Sequence, residues 1–282
     1  MSQIEYLSVP KVSGLSRQEF NQQFMEKNLP CIVTDFAKDW SALGKWNPEY
    51  FKKSYGQNIV KVYDSTFSQA GATYMGSKAI MGFGEYLDRI AQGEDLRMFL
   101  YNIFSDAPEL KNDITLPSLV KGLSKRFLFM FVGPKGAITQ IHYDIDMSHV
   151  FHTPIEGRKR FVIFSPQQSK KLYRHPFTVR SYVDVDHPDF VKYPALKDAQ
   201  GYEIYLNPGE TLFIPAGYWH HIEYLDAGYA ISLRAPNHSL RGKIKGVYNL
   251  LVMQIIDRVF NKLIPSAWFH WKSIRADKLA NA

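Results

Sequence analysis

Short apolar or alternating stretches follow one another between residues 127 and 234. Turn residues separate them, as at Pro134, Pro208 and Gly217, because proline presets φ and glycine tolerates positive φ. This succession of short strands and turns is typical of an antiparallel barrel or sandwich. The pattern predicts eight strands, near residues 127–132, 139–144, 149–154, 158–164, 203–206, 211–214, 220–225 and 229–234.

The residues before this region mix helical and extended patterns, which predicts an N-terminal part of α and β elements. A helix is expected from about Ser16 to Lys27, with Ser16 as N-cap and Glu19 three residues later. Another helix opens at residues 47–49, because proline is tolerated in a first helical turn. The segment 165–200 is irregular and contains four prolines, and such a loop is usually functional or packed as a lid.

Apolar residues at helical spacing return at the end of the chain, over residues 247–263, and a proline ends this helix. A shorter helix is expected to follow through Trp268. So many apolar side chains need a partner surface, which is either the barrel of the same chain or a second copy in a two-fold homodimer. The chain is therefore divided into a domain of residues 1–240 and a C-terminal helical extension of residues 241–282.

The charge and the cysteine content of the chain bear on its cellular compartment and on the kind of partner it binds. The net charge of +7 and the pI near 9.2 are explained either by a solvated basic surface or by an acidic partner. Cys31 is the only cysteine, so no internal disulfide exists, and a reducing compartment, the cytoplasm, is expected. No apolar run is long enough to span a bilayer and the N-terminus lacks the features of a secretory signal, so no membrane partner is expected.

His142 and Asp144 are two residues apart, a spacing that puts both side chains on one face of a β-strand. Alone, such a pattern arises easily by chance. His220, which follows Trp219, would complete a set of two histidines and one carboxylate, which suits non-haem Fe(II) and leaves positions open for substrate and oxygen. His221 is the alternative third ligand, although it would point to the opposite face of its strand.

Lys159 lies in a predicted strand, where alternation places it on the inner face together with Phe161 and Ile163. A lysine on an apolar inner face is costly unless it has an anionic partner. The alternative is an exposed lysine in the basic run of residues 158–160.

The motifs that carry a family resemblance are His142-Tyr143-Asp144, Gly157 to Phe161 with Phe164-Ser165-Pro166, and Pro208-Gly209-Glu210 through Trp219-His220-His221. With them the chain resembles the Jumonji-C-type, cupin-like 2-oxoglutarate-dependent oxygenases from about Leu29 to Leu233. In pattern it is most similar to the group of the asparaginyl hydroxylase that inhibits hypoxia-inducible factor, and its bacterial relatives. The resemblance implies a mainly β fold, the double-stranded β-helix or jelly-roll, with N-terminal α/β elements and C-terminal helices.

The resemblance also implies roles for single residues. The implied metal and catalytic ligands are His142, Asp144 and His220, and the implied 2-oxoglutarate ligands are Lys159 for the far carboxylate, Thr139 and Tyr101. The chain departs from the family at Val150, where an asparagine is usual. The candidates to replace that amide are His152 on the same face, and Ser148 and His149 nearby. Arg234 is a second departure, near an amide close to the cosubstrate, and is a further candidate ligand.

The activity implied is that of an Fe(II)- and 2-oxoglutarate-dependent dioxygenase that hydroxylates a side chain of a protein. Hydroxylation of tRNA or of a small molecule by the same fold is an alternative, and the basic charge fits an acidic protein or RNA as macromolecular substrate. The same fold is also compatible with a non-catalytic cupin-like binding protein, or with a cupin enzyme that uses a metal without 2-oxoglutarate.

Overall fold

The structure is a computed structural model and describes residues 4–68, 77–123, 125 and 128–282. Its strands are β1 (Glu5–Leu7), β2 (Lys11–Val12), β3 (Cys31–Val33), β4 (Ile59–Val62), β5 (Ala79–Gly82), β6 (Met98–Tyr101), β7 (Phe129–Gly133), β8 (Ile138–His142), β9 (His149–Glu156), β10 (Lys159–Phe164), β11 (Gln200–Leu206), β12 (Thr211–Ile214), β13 (Trp219–Tyr224) and β14 (Gly228–Ala235). They form a five-stranded sheet of order β1-β11-β10-β13-β8 and a seven-stranded sheet of order β2-β3-β12-β9-β14-β7-β6, with β4 and β5 as a separate pair. This is the β-dominated, cupin-like jelly-roll that was expected.

The eight predicted strands are confirmed as β7 to β14, and their ends shift by at most three residues. The first was predicted to begin at residue 127, which lies outside the described residues. One boundary changes the site: β8 ends at His142, so Asp144 lies in the following turn and not on the strand. The shared-face argument for the two residues was therefore wrong in its geometry, although the turn brings the carboxylate to the same place.

Helices flank the two sheets on both sides. They are α1 (Arg17–Phe20), α2 (Ala42–Lys45), α3 (Pro48–Tyr55), α4 (Phe83–Ala91), α5 (Ile103–Asp106), α6 (Leu240–Tyr248), α7 (Gln254–Leu263) and α8 (Pro265–Ala280). The predicted N-terminal helix is confirmed as α1 and the π-helical stretch Asn21–Met25 that continues it. Ser16 and Glu19 cap it reciprocally, as the capping box predicts.

Alternation along the strands divides the apolar side chains between three layers. Between the sheets, Phe161 from β10 belongs to one cluster with Leu212 from β12. On β9, Val150 belongs to this inner cluster, whereas its neighbour Phe151 clusters with the N-terminal helices through Phe20. Side chains that face inward from both sheets thus line the space between them, and that space holds the candidate site.

The C-terminal helices and the segment 165–200 cover the other side of the five-stranded sheet. Trp219 of β13 belongs to one buried cluster with Leu172 of that segment and Met253 of the C-terminal helices. The π-helical stretch Asn249–Met253 joins α6 to α7 in one continuous helical run that ends before Pro265. The 16 residues of α8 then follow, so the expectation of a shorter last helix is confirmed. No helix among the described residues has the length and apolar character needed to cross a membrane.

Candidate metal centre

A cavity of about 280 Å³ lies between the sheets and is lined by strands of both and by residues 179–181. The backbone of that short stretch runs beside β8, where Tyr143 N–H donates to the Val179 carbonyl oxygen at 3.1 Å. The predicted lid segment 165–200 is therefore packed and supplies part of the cavity wall. Seven predicted site residues line the cavity, namely Thr139, His142, Asp144, His152, Lys159, His220 and Arg234.

His142, Asp144 and His220 offer three ligand atoms that all lie within 4.8 Å of one another. The two histidines are direct cross-strand partners, His142 on β8 and His220 on β13, with ring centroids 4.2 Å apart. Two imidazoles and one carboxylate are the donor set that suits non-haem Fe(II). The residues present fit such an ion.

Both histidines carry the proton on the nitrogen that faces away from the metal position. His142 Nδ1–H donates to the Gln140 carbonyl oxygen at 2.8 Å, and His220 Nδ1–H donates to the Tyr218 carbonyl oxygen at 3.1 Å. Because a carbonyl oxygen can only accept, each Nε2 keeps its lone pair, the arrangement that orients metal-binding imidazoles.

The protonation states also suit a metal. Burial, with a smaller contribution from neighbouring His220, lowers the pKa of His142 to about 3, and burial also lowers the pKa of His220. Burial alone would raise the pKa of Asp144. The charge and hydrogen bond of Arg234, together with the two neighbouring histidines, outweigh burial and hold that pKa well below its usual range. Neutral imidazoles and an ionised carboxylate are the forms that bind metal.

Arg234, on β14, binds Asp144 directly. Its Nη2 donates to Asp144 Oδ1 at 3.0 Å, and its Nη1 donates to Ser148 Oγ at 2.8 Å and to Asp146 Oδ1 at 3.2 Å. The sequence suggested Arg234 as a ligand of the cosubstrate. In the structure it lines the cavity, but its guanidinium group donates hydrogen bonds to the turn that carries the predicted metal ligand.

Lys159 is fully buried, with 1% of its surface exposed, so the alternative of an exposed lysine was wrong. Its Nζ lies 3.8 Å from the ring centroid of Tyr224, and it forms no ion pair with any residue in the described ranges. Burial lowers the pKa of Lys159 well below its usual value. A buried ammonium group without a carboxylate partner fits an anionic ligand in the cavity.

His152 is the second buried polar group with unused capacity. Its Nδ1 lies 2.7 Å from Ser232 Oγ, and its Nε2 has no hydrogen-bond partner among the described residues. Val150, the position of the missing asparagine, also lines the cavity but offers no polar atom. His152 can therefore supply the polar contact that Val150 lacks.

Tyr101 is the predicted ligand that does not line the cavity. Its hydroxyl donates to Asp106 Oδ2 at 2.7 Å and accepts from Asn58 Nδ2 at 3.3 Å. Phe99 and Leu100 line the cavity instead. The physical reason is an irregularity in β6, where Leu100 has a φ of +56° and the pairing with β7 shifts register, so simple alternation fails.

His221 faces the other side of β13, as alternation predicts. Its Nε2 lies 2.9 Å from Asp186 Oδ2, and Asp186 also pairs with Arg160 at 2.6 Å. This geometry separates His221 from the group formed by His142, Asp144 and His220. The structure therefore does not bring the alternative third ligand to the cavity.

Among the contributors to the cavity that the sequence reasoning missed are Arg180, Ser232 and Tyr224. Arg180 lies in the irregular segment and has no periodic signal, and Ser232 has only the weak signal of an inward polar residue on an apolar strand. Tyr224 could have been found, because it is the cross-strand partner of Lys159 in an antiparallel pairing of β10 with β13.

Comparison with known proteins gives consistent matches. The family of the cupin-like domain matches residues 17–235. JmjC domain-containing protein D of Dictyostelium discoideum is 29% identical over 247 residues, which cover 77% of this chain and 53% of that protein. Lysine-specific demethylase 8 of Xenopus tropicalis is 28% identical over 80% of this chain and 52% of its own length. The chain thus spans about half the length of these two relatives.

A third relative is covered more fully. The human tRNA wybutosine-synthesizing protein 5 is 26% identical over 252 residues, which cover 81% of this chain and 78% of that protein. Proteins named for a protein substrate and for tRNA are therefore both similar to this chain.

Proposed function

The chain belongs to the family of cupin-like JmjC domains, and we propose that it is an Fe(II)- and 2-oxoglutarate-dependent oxygenase. The observation that carries the proposal is the pairing of two features in one cavity. His142, Asp144 and His220 form a donor set for iron, and Lys159 is a buried cation without an ion-pair partner in the described ranges. A buried lysine in the same cavity supports an anionic cosubstrate beside the metal, and the intact donor set supports an enzyme over a non-catalytic binding module.

The chain's own residues would divide the work as follows. His142, Asp144 and His220 would hold iron, and the Lys159 ammonium would bind the far carboxylate of 2-oxoglutarate, with Thr139 as a further hydrogen-bonding group. When bound, Fe(II) and 2-oxoglutarate supply oxidising chemistry in which O₂ gives one oxygen atom to the substrate and one to succinate, with release of CO₂. The apolar walls of the cavity would exclude water from this chemistry.

The substrate class proposed is a protein side chain, which would be hydroxylated. One relative is named a lysine-specific demethylase, which supports a protein substrate, and the net charge of +7 fits an acidic protein. The narrower resemblance to the asparaginyl hydroxylase group belongs to this proposal. RNA is the second candidate, because the match to the tRNA wybutosine-synthesizing protein covers most of that protein.

The proposed organisation has an oxygenase domain in residues 1–240 and a helical extension in residues 241–282 that pairs with a second copy. From α6 through the π-helical stretch into α7, large apolar side chains are exposed at steps of three or four residues, among them Val247, Leu251 and Ile255. A two-fold partner would cover such a stripe. A cytoplasmic location is proposed with it, from the single buried Cys31.

The first experiment tests the cosubstrate, because it needs no knowledge of the substrate. Under anaerobic conditions, Fe(II) and then 2-oxoglutarate are added, and the metal-to-ligand absorption of the complex is recorded. The proposal expects this band in the wild type and its loss in Asp144→Ala. A wild-type protein that binds Fe(II) but gives no band with 2-oxoglutarate would overturn the cosubstrate, and one that binds no Fe(II) would overturn the enzyme.

The second experiment addresses the substrate. A host lysate is incubated with the protein, O₂ and 2-oxoglutarate, and peptides and RNA are searched by mass spectrometry for the mass gain of one oxygen atom. Samples with Asp144→Ala serve as the control. A gain confined to RNA would replace the protein substrate by the second candidate.

A further inference from the structure

The turn that carries Asp144 is strained. Met147 has a φ of +55°, a left-handed conformation that is unfavourable for a residue with a Cβ. Within the turn itself the supporting hydrogen bonds are local, such as the bond from Met147 N–H to the Asp144 carbonyl oxygen at 3.1 Å. A strained conformation persists where surrounding structure holds it.

The C-terminal extension holds this turn from one side. Asn249 is 2% exposed, and its Nδ2 donates to the Ile145 carbonyl oxygen at 3.0 Å, so its amide is used on the turn and not within its own helix. Gly246, one helical turn earlier, lies so close that an added Cβ would be 2.6 Å from the Asp146 carbonyl oxygen. The opposite side is held by Arg234, which bonds Asp144 and Ser148.

The helix is irregular at the contact. Asn249 begins the π-helical stretch Asn249–Met253, and such stretches are rare in proteins and are often found at functional sites. Met253, at the end of the stretch, is buried in one cluster with Tyr143 and Met147, which flank Asp144. The extension therefore contacts the turn by a hydrogen bond, a close backbone approach and an apolar cluster.

We propose that Asn249 is a positioning residue for the metal ligand Asp144, so that the C-terminal helices are a working part of the metal centre. Asn249 touches neither metal nor substrate, and it acts by fixing the backbone of Ile145, the residue that follows the ligand. The proposal rests on the proposed function, since it requires that Asp144 binds a metal. The C-terminal helices would then support the metal site with their inner side, while their outer side is exposed.

Two substitutions weaken the contact in different ways. Asn249→Leu keeps the size of the side chain but removes the donated hydrogen bond. Gly246→Ala favours the helix by propensity, yet it forces the helix backbone away from Asp146. Gly44→Ala, on α2 with nothing within 4 Å of the added Cβ, and Asn261→Leu, whose amide bonds Asp257 within α7, are the matched controls.

The readout is Co(II) binding to the full chain, measured by titration and by the visible absorption bands that report coordination. Asn249→Leu and Gly246→Ala are expected to weaken Co(II) binding by roughly 10-fold or more and to change the bands, as removal of outer supports of metal ligands typically does. The two controls are expected to bind like the wild type. Circular dichroism of the metal-free proteins shows that each variant is folded.

Unchanged affinity and bands in both folded variants would overturn the positioning role while leaving the proposed function standing. A wild-type protein that binds no Co(II) through His142, Asp144 and His220 would overturn both. If the variants do not fold, hydrogen–deuterium exchange of the wild type decides, because coupling is reciprocal. Co(II) must then slow exchange in residues 240–253, and exchange that is the same with and without the metal overturns the inference.

Discussion

Arg234 Nη2 lies 3.0 Å from Asp144 Oδ1, so a guanidinium group is bonded to one oxygen of the predicted metal ligand. The charge of Arg234 lowers the pKa of that carboxyl group. The arginine thus keeps Asp144 ionised in a buried site, while its fork also bonds Ser148.

Replacement of Arg234 by glutamine is expected to move acid-induced metal release to higher pH. Without the arginine the pKa of Asp144 rises, so protons compete with the metal for the carboxylate at a higher pH. The measurement is bound Co(II) as a function of pH. Arg158→Gln is the control, because Arg158 pairs with Asp226 at the surface and should leave the midpoint unchanged. An identical midpoint in Arg234→Gln and wild type would contradict the prediction.

The neighbouring histidines of β13 provide a matched pair of variants. His220→Ala removes a predicted ligand and is expected to abolish tight Fe(II) binding and succinate release. His221→Ala is expected to retain metal binding, because His221 contacts Asp186 on the other face of the strand. Metal content and substrate-dependent succinate release are measured for both. Retention of metal by His220→Ala with loss by His221→Ala would reverse the assignment.

Lys159→Met is expected to weaken 2-oxoglutarate binding on the order of 100-fold or more, since one partner of a buried charge pair is removed. Metal binding should be unaffected, and the metal-free protein should become more stable, because a buried amino group with no ion-pair partner among the described residues is lost. The dissociation constant of 2-oxoglutarate and the urea unfolding midpoint are the measurements. Equal 2-oxoglutarate affinity in wild type and variant would disprove the role of Lys159.

The burial of His175 is expected to lower the free energy of unfolding at acidic pH. It is buried between the rings of Tyr182 and Phe269, and burial, with a contribution from Lys272, lowers its pKa to about 4. Because the unfolded histidine has a pKa of about 6.5, the unfolded state binds more protons below that pH, and stability falls as the pH drops toward 4.

His175→Phe removes this titration. The difference in unfolding free energy between about pH 7 and pH 5 is expected to shrink by roughly 1–2 kcal/mol. Urea unfolding at both pH values measures it. His187→Gln, which alters an exposed histidine, should leave the difference as in the wild type. If His175→Phe keeps the full acid loss, another group is responsible.

The exposed apolar stripe predicts a homodimer. The double substitution Leu251→Glu and Ile255→Glu is expected to convert a dimer to a monomer in sedimentation equilibrium, because charges in an apolar interface are left without partners. Ile59→Glu, at an equally exposed apolar residue on β4, should not change the mass. A wild-type protein that is monomeric at all concentrations would rule the dimer out.

The sequence predicted the barrel well because its signals are local. Turn residues such as Pro208 and Gly217 mark the ends of strands. Alternation predicts that the side chain of Lys159 faces the space between the sheets and that the side chain of His221 faces outward, and both are found so. The pairing of His142 with His220 follows once both strands are placed in one sheet. Period and spacing placed these side chains, whereas their roles as ligands came from the family resemblance.

The remaining parts depend on contacts that have no local signal. Tyr101 is a ligand only by the family resemblance, and the irregularity of β6 at Leu100, which no local pattern announces, accompanies its absence from the cavity wall. The bond from Asn249 to Ile145 joins residues 104 positions apart, and neither segment carries a pattern that predicts it. Arg234 was noticed as a departure, but its partner could not be known before β14 was seen beside the turn.

The position of His221 has a consequence for folding accuracy. Two adjacent histidines at the start of β13 mean that a slip of one residue against β8 would exchange a ligand for its neighbour and turn every side chain of the strand over. In the native register His221 contacts Asp186, which also pairs with Arg160 of the neighbouring strand, and a slip of one residue would turn His221 away from this pair. The contact on the outer face of β13 thus favours the register that places His220 beside His142 and Asp144.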